Sequence, residues 1–251
     1  MTDRIPVIDL ESFPSGDRTT RVRVAKQLGS AAETCGFVVI SGHGIDSKVG
    51  RVLQEAALIL FLEQGLAATT IDDITKSAGT AKGNFYRYFS DKEDLVRGMM
   101  APVMEKVERD LTRAVQAIEV SRDRQTMIEA YEELGRQLAV LLGSNALILK
   151  LYLQESRGAK NGARAPICEL SELVSTKAIE MTRRAHDNNL LRPFQAEVSA
   201  LAVVGAGERL LAAVLDGENV GDPFQLPMAI TSLVLDGLRH PESTDNYARD
   251  Y

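Results

Sequence analysis

Residues 51–97 read RVLQEAALILFLEQGLAATTIDDITKSAGTAKGNFYRYFSDKEDLVR. Apolar residues recur at helical spacing through the first part. A helix is therefore expected from about Ser47 to Gln64, burying Val49, Leu53, Ala56, Ala57, Leu60 and Phe61, with Gly65 as its C-terminal signal. Thr70 and Asp73 have the spacing of a capping box, in which hydroxyl and carboxylate satisfy orphan amides and the acidic charge meets the positive end of the helix dipole. Gly79 ends this second helix, and a short third one covers about Ala81 to Tyr88. Ser90 and Glu93 repeat the capping spacing and open a fourth helix that runs towards Ile118. Two short helices meeting at Ala78-Gly79, the second ending in Phe85-Tyr86-Arg87-Tyr88-Phe89, have the organisation of a helix-turn-helix unit.

The residue types suit contact with DNA. A formal net charge of −6 argues against a nucleic-acid partner in general, but the charge that faces phosphate need only be local. Lys76, Lys82, Lys92 and Arg97 surround the aromatic cluster and supply it. Thr69 and Thr70, at a helix start, offer hydroxyls and backbone amides that can grip phosphate. Lys82, Asn84 and Tyr86 fall at the exposed start of the third helix, where a recognition helix meets base edges. Tyr86, Tyr88 and Lys92 have phosphate-contacting chemistry, whereas Phe85 and Phe89 are assigned to the small core.

In order and spacing, A-A-L-x-L-F-x-x-x-G-x-x-x-T-T-x-x-D-I-x-x-x-A-G-x-x-K-G-x-F-Y-x-Y-F-x-x-K-E-x-L, from Val52 to Leu95, resembles the tetracycline-repressor (TetR) family of bacterial transcription regulators. The resemblance is strongest over residues 78–89, and it adds Thr80, Ala81 and Gly83 to the candidate DNA-binding set. Thr80 stands where a small apolar residue is common and Ala81 where serine is common, differences that bear on the operator contacts and not on the class. The resemblance implies an all-α protein: a helix-turn-helix head at 47–97, a helical ligand-binding and dimerisation domain at 98–239, and a polar tail at 240–251. It also implies a homodimer on a roughly palindromic double-stranded operator, released when a small molecule binds the helical domain.

Beyond the head, helices are expected at about 122–142, 145–157, 166–188, 195–216 and 223–239, with loop signals at 143–145 and 157–162. Pro102 interrupts the fourth helix and marks Gly98–Pro102 as a candidate hinge. Small residues at Ala200, Ala202, Gly205, Ala206, Ala212 and Ala213 allow close helix approach, and the family's dimer interface falls at about 195–239. Met99, Met100, Met104, Tyr131, Leu134, Leu138, Leu149, Tyr152 and Leu153 are candidate pocket residues; so few polar groups point to an apolar or amphipathic effector.

The first fifty residues have another character. IPVIDL reads as a strand, Arg18 to Thr34 as a helix, and Phe37 to Ile40 as a second strand, before Ser41-Gly42-His43-Gly44 breaks the chain. With GFVVISGHGI, residues 5–46 are similar to the N-terminal segment of iron- and 2-oxoglutarate-dependent dioxygenases of the isopenicillin-synthase type. That resemblance raises an oxygenase, or a regulatory remnant of one, as the alternative function. Such enzymes hold iron with an H-x-D pair and a distant histidine. The three histidines, His43, His186 and His240, give no H-x-D, and the R-x-S motif for 2-oxoglutarate is absent, so enzymatic activity and a cofactor are not expected. Packing on the helical body, addition to the dimer and loose order stay equally open for this segment.

The totals agree with a regulator. Charged residues at 25% and apolar residues at 45% are ordinary for a globular protein. Cys35 and Cys168 lie far apart without a CxxC pairing, as buried thiols in a reducing compartment would. No early apolar region resembles a secretion signal, and a cytoplasmic location without a membrane partner is expected.

Overall fold

The computed structural model describes residues 7–9, 18–35, 39–41, 47–191, 194–222, 225–226, 228–230 and 232. Two compact units divide the chain, Met1–Val52 and Leu53–Tyr251. In the first, strand β1 (Val7–Asp9), helix α1 (Arg18–Cys35) and strand β2 (Val39–Ser41) follow in the expected order. The strands pair in parallel, with Val7 opposite Val39 and Ile8 opposite Ile40; a parallel pair needs a crossover, which α1 supplies. Ile8, Val24 and Ala31 bury together, with Leu28 against them. The break at Gly42–Gly44, His43 included, lies outside the described residues, as do His240 and the tail from 240 to 251.

Helices build the rest: α2 (Ser47–Gln64), α3 (Ile71–Ser77), α4 (Lys82–Tyr88), α5 (Lys92–Val120), α6 (Arg124–Glu155), α7 (Ala165–Asp187) and α8 (Ala196–Leu215), with a 3-10 turn at Gly162–Arg164 before α7. From Ser47 onward the described secondary structure is helical throughout, preceded by a short α/β segment, as the sequence predicts. Along α5, Leu95, Met99, Val103, Val107, Leu111, Ala114 and Ile118 repeat every three or four residues and are buried. That stripe packs on α6 and α7, and α7 in turn packs on α8.

Two local expectations need correction. The residue capping α5 is Asp91, not Ser90: its carboxylate accepts from the Asp94 amide at 2.8 Å, while Glu93 turns to Arg97. A carboxylate one residue nearer the helix takes the cap that the serine spacing suggested. Pro102 does not break α5, which is helical from Lys92 to Val120. The backbone departs from helix instead in α6, at Asn145 (φ −138°, ψ 29°), between the two helices expected there. Ser144 Oγ and Asn145 Nδ2 donate to the carbonyls of Val140 and Leu141 at 3.0 and 3.2 Å, covering acceptors the break would otherwise strand. The helix expected over 223–239 falls mostly outside the described residues.

By length and composition α6 and α8 could each reach across a bilayer. Both contribute walls to an internal cavity of the second unit, which accounts for their apolar faces.

Candidate DNA-binding head and effector cavity

The turn between α3 and α4 is built by backbone chemistry. Gly79 adopts φ +62°, which lets its own amide donate to the Lys76 carbonyl and the Thr80 amide donate to Thr75. This is the paired closure of a left-handed helix end, the conformation glycine tolerates best. At the other end of α3 the capping box is complete: the Asp73 amide donates to Thr70 Oγ1, and the Thr70 amide donates to Asp73 Oδ2. Thr70's hydroxyl, also donating to Asp73 at 2.6 Å, holds that carboxyl below its usual pKa.

α4 presents its residues as a recognition helix requires. Phe85 is fully buried and meets Tyr86 edge-on at 5.5 Å and Phe89 at 5.7 Å between ring centroids. Ala81, Lys82, Gly83, Tyr86 and Arg87 are exposed; Thr80, Asn84 and Tyr88 are half-buried. Asn84 Nδ2 donates to Thr80 Oγ1 at 2.7 Å, which fixes both side chains. Lys82 pairs with Asp72 at 2.8 Å, and that hydrogen bond raises the pKa of its ammonium. Both partners are largely exposed, and such pairs exchange readily for another anion. Arg87 makes no ion pair among the described residues; the sequence reading left it out of the DNA-facing set, although its place on the exposed face of the third helix was the available signal.

Two predicted phosphate ligands are spent elsewhere. Thr69 is buried, donating its hydroxyl to Gly65 at 2.9 Å and accepting from Gln64. Lys92 donates from Nζ to the carbonyls of Leu66 and Thr69 at 2.7 and 2.9 Å, and burial pulls its pKa down. Both residues brace the corner between α2 and α3. Arg97 likewise bridges Glu93 and Glu169, and Glu169's carboxyl is held low by that guanidinium.

The same corner touches α6. The Leu66 amide donates to Glu155 Oε1 at 3.2 Å, and Gln154 Nε2 donates to the Leu62 carbonyl at 3.4 Å. Glu155 is held in turn by Arg164, at 2.8 Å to Nε and 2.7 Å to Nη2. Arg164 lies across Gly158, where any Cβ would stand 2.5 Å from it. A side chain at that position would push the flexible end of Arg164 aside.

One turn before Glu155, the face of α6 opens on a cavity of about 370 Å³ enclosed by α5, α6, α7 and α8. Of the candidate pocket residues, Tyr131, Leu134, Leu138, Leu149 and Tyr152 line it. Met99, Met100, Met104 and Leu153 do not. The α5 wall begins at Val107, and a rise of about 1.5 Å per residue puts Met99 roughly 12 Å short of it. Met99 and Met100 are core, and Met104 and Leu153 are half-buried elsewhere. Tyr152 donates to Glu208 Oε1 at 2.5 Å, Arg157 holds the other oxygen of Glu208, and burial together with that carboxylate raises the Tyr152 phenol's pKa. Enclosure alone pushes Tyr131's phenol up to about 12.

Comparison with known proteins agrees with this geometry. Residues 53–99 match the description "Bacterial regulatory proteins, tetR family", and residues 5–63 match "non-haem dioxygenase in morphine synthesis N-terminal". The HTH-type transcriptional regulator HbdR of Aromatoleum sp. (strain CIB) is 30% identical over 89 residues, 36% of this chain and 38% of that protein. The uncharacterized HTH-type regulator YhgD of Bacillus subtilis (strain 168) is 21% identical over 72% of this chain and 88% of its own length. Among solved structures, the transcriptional regulator FadR of Bacillus subtilis, in complex with stearoyl-CoA, superimposes with a TM-score of 0.57 at 17% identity, covering 75% of this chain and 99% of that one. The match to HbdR thus spans well under half of that protein, and the likeness to FadR is one of fold. The head motif and its capped helix pair, matched over residues 53–99, are thus similar to those of the tetR family of bacterial regulatory proteins, and the helical body shares its fold with a regulator of that kind.

Proposed function

We propose that this protein is a DNA-binding transcriptional repressor that acts as a homodimer and releases its operator when a small molecule enters the cavity between α5 and α8. The observation that carries the reading is the position of α6: its last turns hold both cavity-lining residues, Leu149 and Tyr152, and the residue that grips the head, Glu155. A ligand that shifts Tyr152 shifts Glu155 with it, and the Leu66 corner follows. Differential affinity of the ligand for the two positions of α6 supplies the coupling free energy. The FadR neighbour solved with stearoyl-CoA supports reading this cavity as an effector site.

DNA contact falls to Lys82, Tyr86 and Arg87 on the exposed face of α4, with Thr70, Thr80, Ala81, Gly83, Asn84 and Tyr88 around them. α5 carries the chain from the proposed head, 47–97, into the proposed effector domain, 98–239, without a break in the helix. Dimerisation is assigned to α8 and the segment after it, within 195–239. Val198 and Leu201 are 49% and 47% exposed on α8, beside the small Ala202 and Ala206, a stripe that a second copy would cover. Anisotropy of labelled operator with full-length protein tests the reading: tight, salt-sensitive binding reversed by an effector supports it, and salt-insensitive or absent binding overturns it.

A further inference from the structure

The cavity's polar groups are nearly all spoken for. Thr182 Oγ1 donates to the Ala178 carbonyl at 3.0 Å, and Ser199 Oγ donates to Gln195 and Ala196. Tyr152 donates to Glu208, whose second oxygen belongs to Arg157. Among the described residues that line the cavity there is no Lys, Arg or His, and Glu208 is the one formal charge. Tyr131 differs: it lines the same space, and its hydroxyl has no hydrogen-bond partner among the described residues. Its raised pKa keeps it a phenol, a donor, at any ordinary pH.

Each fact narrows the occupant. An anionic headgroup would enter a space whose described lining holds no cation and already carries a carboxylate, with the nearby Arg157 taken up by that carboxylate, and burying such a charge unpaired is prohibitive. A cationic headgroup would have to displace Arg157 from Glu208. A neutral hydrocarbon body suits the walls, and a donor that faces the cavity without a protein partner offers its hydrogen bond to one acceptor on the ligand. At about 370 Å³ the space lies near the small end of ligand pockets. We infer that the effector is a small uncharged lipophile carrying a carbonyl or ether oxygen, which accepts a hydrogen bond from Tyr131.

This deepens the proposed regulatory reading and rests on it for the word effector, while the binding chemistry stands separately. Calorimetry on the full-length dimer with 2-undecanone, undecanoate, undecylamine and hexylbenzene tests it, alongside operator anisotropy. The ketone is expected to bind at least tenfold tighter than the acid or the amine. Tyr131→Phe is expected to weaken the ketone about fivefold and leave hexylbenzene unchanged, with an unaltered melting temperature showing that the fold is intact. Tighter binding of undecanoate or undecylamine, an unchanged ketone affinity in Tyr131→Phe, or binding by none of the probes overturns the assignment. Ketone binding that leaves operator affinity unmoved upholds the ligand class and defeats the regulatory reading. Operator release by the acid alone does the reverse.

Discussion

The carboxylate of Glu155 accepts the backbone amide of Leu66 at 3.2 Å, joining the last turn of the cavity-lining helix to the corner between the first two helices of the head. Leu66 is held on its other side by Lys92, whose ammonium takes its carbonyl. The backbone of one residue is thus clamped between an acidic side chain from α6 and a basic one from α5. Movement of either helix acts on the helix pair that carries α4.

Breaking the clamp should uncouple the two activities. In Glu155→Ala, effector affinity is expected to stay within about twofold, while the effector-induced loss of operator affinity shrinks by up to the 1–3 kcal/mol of ordinary allosteric coupling. Titrating operator with and without a saturating effector checks this. Full release by the variant would remove α6 from the route.

Lys92→Ala tests bracing against phosphate contact. A bracing lysine leaves two carbonyls uncapped when removed, so the melting temperature and the operator affinity fall together. A phosphate contact would lower affinity and the salt slope by about one while leaving the melting temperature alone.

For the cap on α3, Thr70→Ala removes a hydroxyl that satisfies the Asp73 amide, at a cost of about 1 kcal/mol. Differential scanning calorimetry should show a fall of about 2–4 °C. Arg87→Ala, by contrast, is expected to leave the melting temperature unchanged and reduce the salt slope of operator binding by about one.

Pro102→Ala should change neither operator affinity nor effector response, because α5 is already helical through that position. A changed response would restore the hinge that the sequence suggested. The bend that matters is at Asn145, with Leu149, Tyr152 and Glu155 on the segment beyond it.

These cases show what was legible in the chain. The Thr70–Asp73 box and the Gly79 turn were readable because capping and left-handed turns are settled within a few residues. Asp91 was missed beside Ser90 because two adjacent cap-forming residues differ only in where the helix starts. The surroundings of Lys92, Met99 and Met100 are not legible for a different reason: they are set by residues far along the chain. Leu66 lies 26 residues before Lys92 and the cavity begins about two turns beyond Met99, so residue type and periodicity carry no signal of either. Tyr131 was on the pocket list for its position on a helix, but its lack of a partner is a property of the folded body. Arg87 was passed over inside an aromatic run whose other members, Phe85 above all, are core.

Selection of bound DNA from random fragments, using full-length protein and Tyr86→Ala side by side, tests the central claim most directly. The account predicts that the full-length protein enriches one roughly palindromic sequence, which it binds with affinity falling steeply as salt rises. Tyr86→Ala should remain a folded dimer and bind that sequence at least tenfold more weakly. Enrichment of no sequence, or equal binding by Tyr86→Ala, would contradict it.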